Sequence, residues 1–275
     1  ELRRGDRDRY LTLLFAPRRS QPALAALYAF NLECARAVSA GGEQPLLGQM
    51  RLQWWRDGFS GGQAATEGGA ENHSHPVLTA LADEIDSAQF PLVQLHGLLA
   101  ARERDLTGPP FATIGDVEAQ AKATGGALAA LAVQNLDPAY ADAARAAGTA
   151  YALAGMLRAI PYQQQGRGYQ GRLCLPQEML AEHKLTAEGV WPRENSSAVA
   201  ACVAQVAASA IRILEPLANL GPAGPALSPL LHGSLARAYL RRLAKAHYDP
   251  FARDLALHPL GRPLLLCWRA LRRRP

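Results

Sequence analysis

Asn31 and Glu33 are polar residues in the middle of an apolar helical segment. Polar and charged groups that leave water need hydrogen-bonding or charged partners, because burial without them is costly. Arg36, nearby on the same segment, and the distant Arg158 are both suitable partners. The pattern predicts a charge cluster inside the fold, although Arg158 also lies near a helix C-terminus, where the dipole favours a cation.

A second segment combines a cation with two aromatic rings: Arg51, Trp54 and Trp55. Aromatic walls suit an elongated apolar ligand, but a helical stripe that contains Met50 and Trp54 is more often simply core. Arg172 lies in a loop before Pro176, where ligand contact and plain solvation are balanced alternatives.

The cysteines and histidines form no metal-binding pattern. The four cysteines are Cys34, Cys174, Cys202 and Cys267. They include no C-x-x-C pair, which argues against a zinc site or a thioredoxin-type motif. His73 and His75 lie in a Gly-rich loop with no third ligand. We therefore predict reduced, mostly buried thiols and no metal site at these residues.

Helices must position these side chains, because apolar residues recur at three- and four-residue steps almost everywhere. The predicted helices run from the Ser20 cap to Gly41 and over 45–59, 76–87, 91–106, 138–160, 176–183, 193–220, 225–246 and 259–273. Thr113 and Asp116 form a capping pair that opens another helix, which meets Gly125–Gly126 midway. Pro216 should kink or split the helix over 193–220. No stretch alternates like a strand. We expect one all-α domain over 1–275, with a mobile loop at 61–75 and a basic C-terminal tail at 262–275.

Composition excludes several classes of protein. The chain has 275 residues, 49% of them hydrophobic, and a net charge of +5, which argues against disorder. The charge-free apolar stretches Ala146–Leu157 and Ala198–Ile211 are shorter than the roughly 18 residues of a spanning helix. A soluble globular chain is the prediction.

Arginine is concentrated at the two ends of the sequence. Residues 1–19 contain six Arg against three acidic residues, and residues 262–275 contain five Arg and no acid. Such ends suit contact with an anionic membrane, or solubility alone, better than nucleic-acid binding, which uses a basic face. Within 263–274, Leu264, Leu265, Trp268 and Leu271 lie beside Arg269 and Arg272–Arg274. This indicates a helix that rests on a bilayer or, the favoured interpretation, one that docks on the core.

The combination of several segments resembles the squalene/phytoene synthase family across nearly the whole chain. These segments are Ala26–Ser39, Gly48–Asp57, Phe111–Ile114, Leu157–Tyr162, Gly171–Glu178 and Tyr239–Leu243. The family joins two prenyl diphosphates head to head in an all-α isoprenoid-synthase fold. The resemblance therefore implies a helical bundle around a central cavity.

The family's chemistry uses two D-x-x-x-D motifs on facing helices, whose carboxylates share one helix face and hold Mg²⁺. By resemblance, the first motif falls on Ala35 and Ser39 and the second on Ala159 and Gln163. All four positions lack a carboxylate. Arginine can still bind diphosphate directly, and we consider Arg36, Arg51, Arg158 and Arg172 candidates for this.

One branch of the family, the mitochondrial complex I assembly factors, fits better than the synthases. The similar segments are Ala29–Asn31 with Glu33, Met50–Trp55, Leu157–Tyr162, Asp249–Pro250 and Leu264–Arg269. The resemblance implies degraded metal motifs and a role in building a membrane complex.

Together these observations predict a non-catalytic protein that binds a prenyl or other lipid, or that assists assembly of respiratory complex I. The alternative is an active prenyl transferase with a relocated metal site, which would need Mg²⁺. We assign no catalytic residue, metal ligand or cofactor, and expect no nucleic-acid partner. The expected location is cytoplasmic, with peripheral contact at the inner membrane. The candidate cavity residues are Asn31, Glu33, Arg36, Arg51, Trp54, Trp55, Arg158 and Arg172.

Overall fold

The computed structural model describes residues 1–41, 44–59, 75–86, 90–163, 172–253 and 255–272, and within them the chain forms helices and no strand. The helices are α1 (Leu2–Gly5), α2 (Arg7–Leu13), α3 (Gln21–Ala40), α4 (Pro45–Phe59), α5 (Pro76–Asp86), α6 (Leu92–Thr107), α7 (Ile114–Ala121), α8 (Ala127–Gln134), α9 (Ala141–Ala159), α10 (Gln177–Glu182), α11 (Ser196–Leu214), α12 (Leu227–Lys245) and α13 (Gly261–Leu271). The predicted all-α class is confirmed. The predicted mobile loop 61–75 falls outside the described residues except for His75.

A residue expected as a helix cap makes its capping hydrogen bond only where its backbone lets the side chain reach the first turn of the helix. Thr113 and Asp116 form a reciprocal capping box at α7, with Thr113 N donating to Asp116 Oδ2 over 2.8 Å. Ser20, expected as the cap of α3, makes no capping hydrogen bond. A 3₁₀ turn over Arg18–Ser20 gives Ser20 helical dihedral angles already, whereas a capping residue needs an extended backbone.

Prolines end two of the long helices. The helix α9 stops at Ala159, and a 3₁₀ turn that contains Pro161 follows. The helix predicted over 193–220 is divided in the same way, because Pro216 lacks the N–H that would continue α11 beyond Leu214. Both breaks agree with the sequence prediction.

The helix α9 lies at the centre of the packing, against α8, α11 and α12. Its inner face is built from small residues such as Ala147, Ala150 and Ala154, which lets the neighbouring helices approach closely. A second hydrophobic cluster joins α3, α4 and α6 and includes Phe30 and Trp55. The polar side chains described below lie at and between these two clusters.

One segment, Arg193–Asn219, is long and apolar enough to span a membrane by length and composition. The sequence prediction excluded a membrane-spanning helix because it considered only stretches without any charged residue, and this criterion was too strict. In the fold, Val199, Val203 and Val206 are fully buried, and α11 packs against α9 and α12. These contacts are those of a core helix, which passes the same test.

The tightest helix contact joins α9 to a π-helical turn over Lys122–Gly126. A Cβ atom added at Gly148 would meet the carbonyl oxygen of Gly125 and would lie 2.6 Å from the Cβ atom of Ala129. Neither neighbour is the flexible end of a side chain, so only backbone movement could relieve the clash. The Gly125–Gly126 pair, expected midway along the helix that Thr113 opens, therefore lies in a π-helical turn against which α9 packs closely.

We expect Gly148→Ala to lower the free energy of unfolding by about 1–3 kcal/mol, because the added methyl group overpacks this contact. Gly155→Ala, on the same helix but with no atom within 4 Å of the added Cβ, is the matched control. It should raise stability by about 1 kcal/mol through helix propensity. Urea denaturation of both variants measures the difference, and equal stabilities would contradict the contact.

Candidate functional site

Five of the predicted site residues line a cavity of about 590 Å³ between α3 and α4, which we call the outer cavity. Its lining residues are Glu33, Arg36, Ala37, Leu47, Met50, Arg51, Trp54, Trp55 and His75. Glu33 and Arg36 form an ion pair with each other, and the Arg36 side chain is 45% exposed. The predicted pairing therefore forms at the rim of this cavity and in contact with solvent.

The two tryptophans have different surroundings, although they are adjacent in sequence. Trp55 is buried and packs edge-on against Phe30, while Trp54 is half-buried. Each also packs edge-on against His75. Both interpretations of this stripe, core and cavity wall, are therefore correct in part. Trp55 belongs to the core, and the two tryptophans together form one wall of the outer cavity.

A second, smaller cavity of about 270 Å³ lies among α6, α9 and the π-helical turn, and we call it the inner cavity. Its lining residues are Arg9, Arg102, Asp105, Thr124, Gly125, Tyr151, Ala152, Gly155, Met156, Ala159, Gln163 and Arg172. The lining contains three guanidinium groups and, among the described residues, one carboxylate. Its net charge is therefore positive.

Each of the three arginines in the inner cavity is held differently. Arg9 pairs with Asp6, whose charge keeps the pKa of Arg9 above its ordinary value although burial opposes this. Arg172 stacks over the ring of Phe111 at 3.6 Å, and burial lowers its pKa. These contacts leave both guanidinium groups facing the inner cavity.

Arg102 connects the inner cavity to α3. It donates to Asn31 Oδ1 over 3.1 Å and to Asp105 Oδ2 over 3.2 Å, and Gln120 Nε2 donates to Asp105 Oδ1 over 2.7 Å. The partner of the buried Asn31 is therefore Arg102, rather than the predicted Arg36 or Arg158. Arg158 stacks over the ring of Tyr239 at 3.9 Å and lines neither cavity.

Behind the inner cavity lies a carboxylate that is only 5% exposed, Asp8. It accepts hydrogen bonds from Tyr151 over 3.0 Å, from Tyr239 over 2.7 Å and from Arg262 over 3.2 Å. Because Tyr151 lines the inner cavity, the hydrogen bond from its hydroxyl to Asp8 fixes one wall.

A buried histidine completes this polar layer. His232 Nδ1 donates to the carbonyl oxygen of Pro229 over 2.9 Å, and its Nε2 lies 3.4 Å from Thr12 Oγ1. Burial, and then the charge of Arg9, lower the pKa of His232 to about 4, against the opposing effects of Asp6 and Asp8. The imidazole is therefore neutral at physiological pH.

Comparison with known proteins identifies this architecture. The sequence profile of squalene/phytoene synthases matches residues 2–268. The chain belongs to the squalene/phytoene synthase family. It is 30% identical to "NADH dehydrogenase (ubiquinone) complex I, assembly factor 6 homolog" of Drosophila melanogaster, over 97% of this chain and 80% of that protein. The corresponding Homo sapiens protein is 25% identical over 98% of this chain and 80% of its own length.

The fold is also that of the family's solved structures. A dehydrosqualene synthase crystallised in complex with a ligand superposes with a TM-score of 0.73, covering 98% of this chain and 93% of its own, at 19% identity. At that identity the likeness shows the fold alone. The predicted isoprenoid-synthase bundle is confirmed.

The four positions assigned to the family's metal motifs do not meet in one cavity. Ala159 and Gln163 line the inner cavity, whereas Ala35 and Ser39 line neither, and Ser39 Oγ donates to the Ala35 carbonyl over 3.1 Å. Gln163 Nε2 donates to the Arg172 carbonyl over 3.2 Å, while its buried Oε1 has no hydrogen-bond partner among the described residues. An oxygen acceptor is therefore available at this wall of the inner cavity.

The donor set does not fit the family's Mg²⁺ pair. Within the described ranges, no three His, Cys, Asp or Glu side chains are grouped so that they could hold a metal ion. Both oxygens of Asp105, the carboxylate that lines the inner cavity, already accept hydrogen bonds from Arg102 and Gln120. Magnesium prefers several oxygen ligands, and a single carboxylate with both oxygens engaged does not supply them.

Sequence reasoning missed Arg9 and Tyr151 as cavity residues. Tyr151 is the one aromatic residue of the Ala-rich helix α9, and Arg9 lies in a terminal segment interpreted only by its charge. The position of Tyr151 as the one aromatic residue in this helix was a sequence signal that could have identified it as a candidate. The contact between Tyr151 and Asp8 was not accessible, because 143 positions separate the two residues.

We expect the free energy of unfolding to fall by about 3 kcal/mol between pH 6.5 and pH 4 because of His232. Its folded-state pKa lies below its unfolded-state value, so the unfolded chain takes up the proton first and stability present above pH 6.5 is lost as pH falls. His232→Gln should flatten this part of the profile. The exposed His258→Gln is the control, and identical slopes in all three proteins would refute the assignment.

Proposed function

We propose that this chain is a non-catalytic member of the squalene/phytoene synthase family that acts as an assembly factor for respiratory complex I. The carrying observation is the 30% identity, over 97% of the chain, to a protein named as a complex I assembly factor 6 homolog. The human protein of the same name supports it at 25% identity over 98% of the chain. This role places the chain beside a membrane complex, in contact with its subunits.

The residue types at the four motif positions support the absence of prenyl transfer. Ionisation of an allylic diphosphate needs a strong electrophile at the leaving group, which the family's metals provide. The positions assigned to the metal ligands are Ala35, Ser39, Ala159 and Gln163, none of which carries a charge. An arginine binds a diphosphate well but neutralises less charge than a pair of divalent metal ions.

The inner cavity supports binding of an anionic ligand without a metal. Arg9, Arg102 and Arg172 converge on it, and guanidinium groups bind phosphate oxygens through paired hydrogen bonds. The Oε1 atom of Gln163, which has no partner within the part of the chain that the structure describes, can accept a hydrogen bond from a hydroxyl or a protonated phosphate. We therefore propose the phosphorylated head of a prenyl or other lipid as the ligand, with no cofactor.

Incubation with farnesyl or geranylgeranyl diphosphate and Mg²⁺ should release no diphosphate and form no C30 or C40 product. The expected result follows from the neutral residues at the four motif positions. Diphosphate release measured by a coupled phosphate assay, with product analysis by mass spectrometry, provides the test. A squalene synthase assayed in parallel controls for the substrates. Turnover would overturn the non-catalytic assignment in favour of an active transferase with a relocated metal site.

Deleting the gene in the organism that carries it should reduce assembled complex I and its NADH:ubiquinone activity several-fold, while succinate dehydrogenase activity stays unchanged. The reason is that an assembly factor affects one complex and leaves the rest of the chain intact. Native gels and the two activity assays give the measurement. Re-expression of the intact gene should restore complex I, and normal complex I in the deletion strain would contradict the role.

A further inference from the structure

The exposed side of α13 carries large apolar side chains in one row. The exposed fractions are 66% for Leu260, 69% for Leu264, 45% for Trp268 and 85% for Leu271. Spacings of four, four and three residues place all four on the same face of a helix. Single exposed leucines are ordinary on a protein surface, but a continuous apolar patch marks an interaction site.

The opposite side of α13 is fixed to the rest of the fold. Leu266 is fully buried, and Arg262 at the start of the helix pairs with the buried Asp8 at 3.2 Å. The helix contacts α2 and α12. The apolar row is therefore held in a defined direction, and the docking of α13 on the core confirms the favoured interpretation of this segment without using its outer face.

Guanidinium groups border the row. The Cζ atom of Arg272 lies 4.2 Å from the centre of a Trp268 ring, and that of Arg269 lies 5.1 Å away. Burial lowers the pKa of Arg269, and the charges of Arg237, Arg241 and Arg272 lower it further. Arg237 and Arg241 of α12 thus lie near Arg269 of α13 and Arg272, which follows α13.

These two helices supply no acidic side chain to this group, although Glu215, just after α11, lines the same pocket as Arg237 and Arg241. Neither 227–245 nor 255–275 contains an Asp or Glu in the sequence. An anionic partner would stabilise positive charges that lie close together. The same partner must also bury the adjacent row of apolar side chains in a hydrocarbon environment. An anionic lipid surface meets both requirements.

We propose that the outer face of α13 docks on an anionic phospholipid bilayer. The row Leu260, Leu264, Trp268 and Leu271 enters the interface, and the arginines lie at the level of the phosphates. The row stands on a convex helix, so a protein partner would need a matching groove, whereas a bilayer adapts its shape. Tryptophan at the boundary between hydrocarbon and headgroups is typical of this arrangement. The docking does not depend on the assembly role.

Flotation of the purified chain with vesicles tests the proposal. The chain should float with vesicles of phosphatidylcholine plus phosphatidylglycerol and remain behind with phosphatidylcholine alone. The double variant Leu264→Glu with Leu271→Glu should abolish flotation. The control Val93→Glu changes a 77% exposed residue of α6 and should float like the parent.

The charge contribution is tested separately. Arg241→Gln with Arg272→Gln should weaken vesicle binding about 30-fold at low salt, since each arginine near an anionic surface contributes about 1 kcal/mol. Lys122→Gln with Arg193→Gln, which removes two exposed cations from the π-helical turn and from the turn before α11, should leave binding unchanged. Unchanged thermal melting of every variant, followed by circular dichroism, shows that each remains folded.

Three results would overturn the proposal. They are equal flotation with neutral vesicles, flotation of the double glutamate variant at the parent level, and retention on a polyglutamate resin without binding to any vesicle. The last would indicate an acidic protein partner. Because the assay uses the purified chain, each of these results leaves the complex I role to be decided by the deletion strain.

Discussion

The buried carboxylate of Asp8 joins more helices through its hydrogen bonds than any other described side chain. A carboxylate removed from water requires strong hydrogen bonds, and loss of one partner leaves a costly uncompensated charge. Asp8 of α2 obtains its partners from Tyr151 of α9, Tyr239 of α12 and Arg262 of α13. The positions of three helices relative to the N-terminal segment are therefore set by one side chain. The neutral His232, held between Thr12 and Pro229, closes the same layer.

This layer determines what the inner cavity can bind. Tyr151 presents its ring to the cavity because its hydroxyl is held by Asp8, and Arg9 faces the cavity because Asp6 holds it from behind. Asp6 and Asp8 thus lie behind the wall, where they orient Arg9 and Tyr151. In a metal-dependent member of the family, carboxylates instead face the ligand through divalent ions. The arrangement here favours an anion bound directly by guanidinium groups.

The sequence predicted the helices well because helix signals are local. The helix α4 begins at Pro45 and ends at Phe59, as expected. Thr113 caps α7 and Pro216 divides the helix after α11 where predicted. Ser20 does not cap α3 because the preceding 3₁₀ turn gives it helical dihedral angles. No nearby residue in the sequence indicated this turn. The site was harder to predict, since its contacts join distant positions. The pairing of Asn31 with Arg102 crosses 71 residues, and periodicity does not show which of several arginines a buried amide will meet.

The division of the predicted site into two cavities also has a physical reason. Glu33 and Arg36 satisfy each other at the rim of the outer cavity, whereas Asn31, on the same helix, turns inward to Arg102. The inner cavity is joined in turn to the proposed bilayer surface, because Tyr151 at the cavity wall and Arg262 at the start of α13 share Asp8 as acceptor. A movement of α13 would therefore act on Asp8 directly and on the cavity wall through one further hydrogen bond. In the proposed function, this is the shortest physical connection between a membrane and a ligand bound inside the fold.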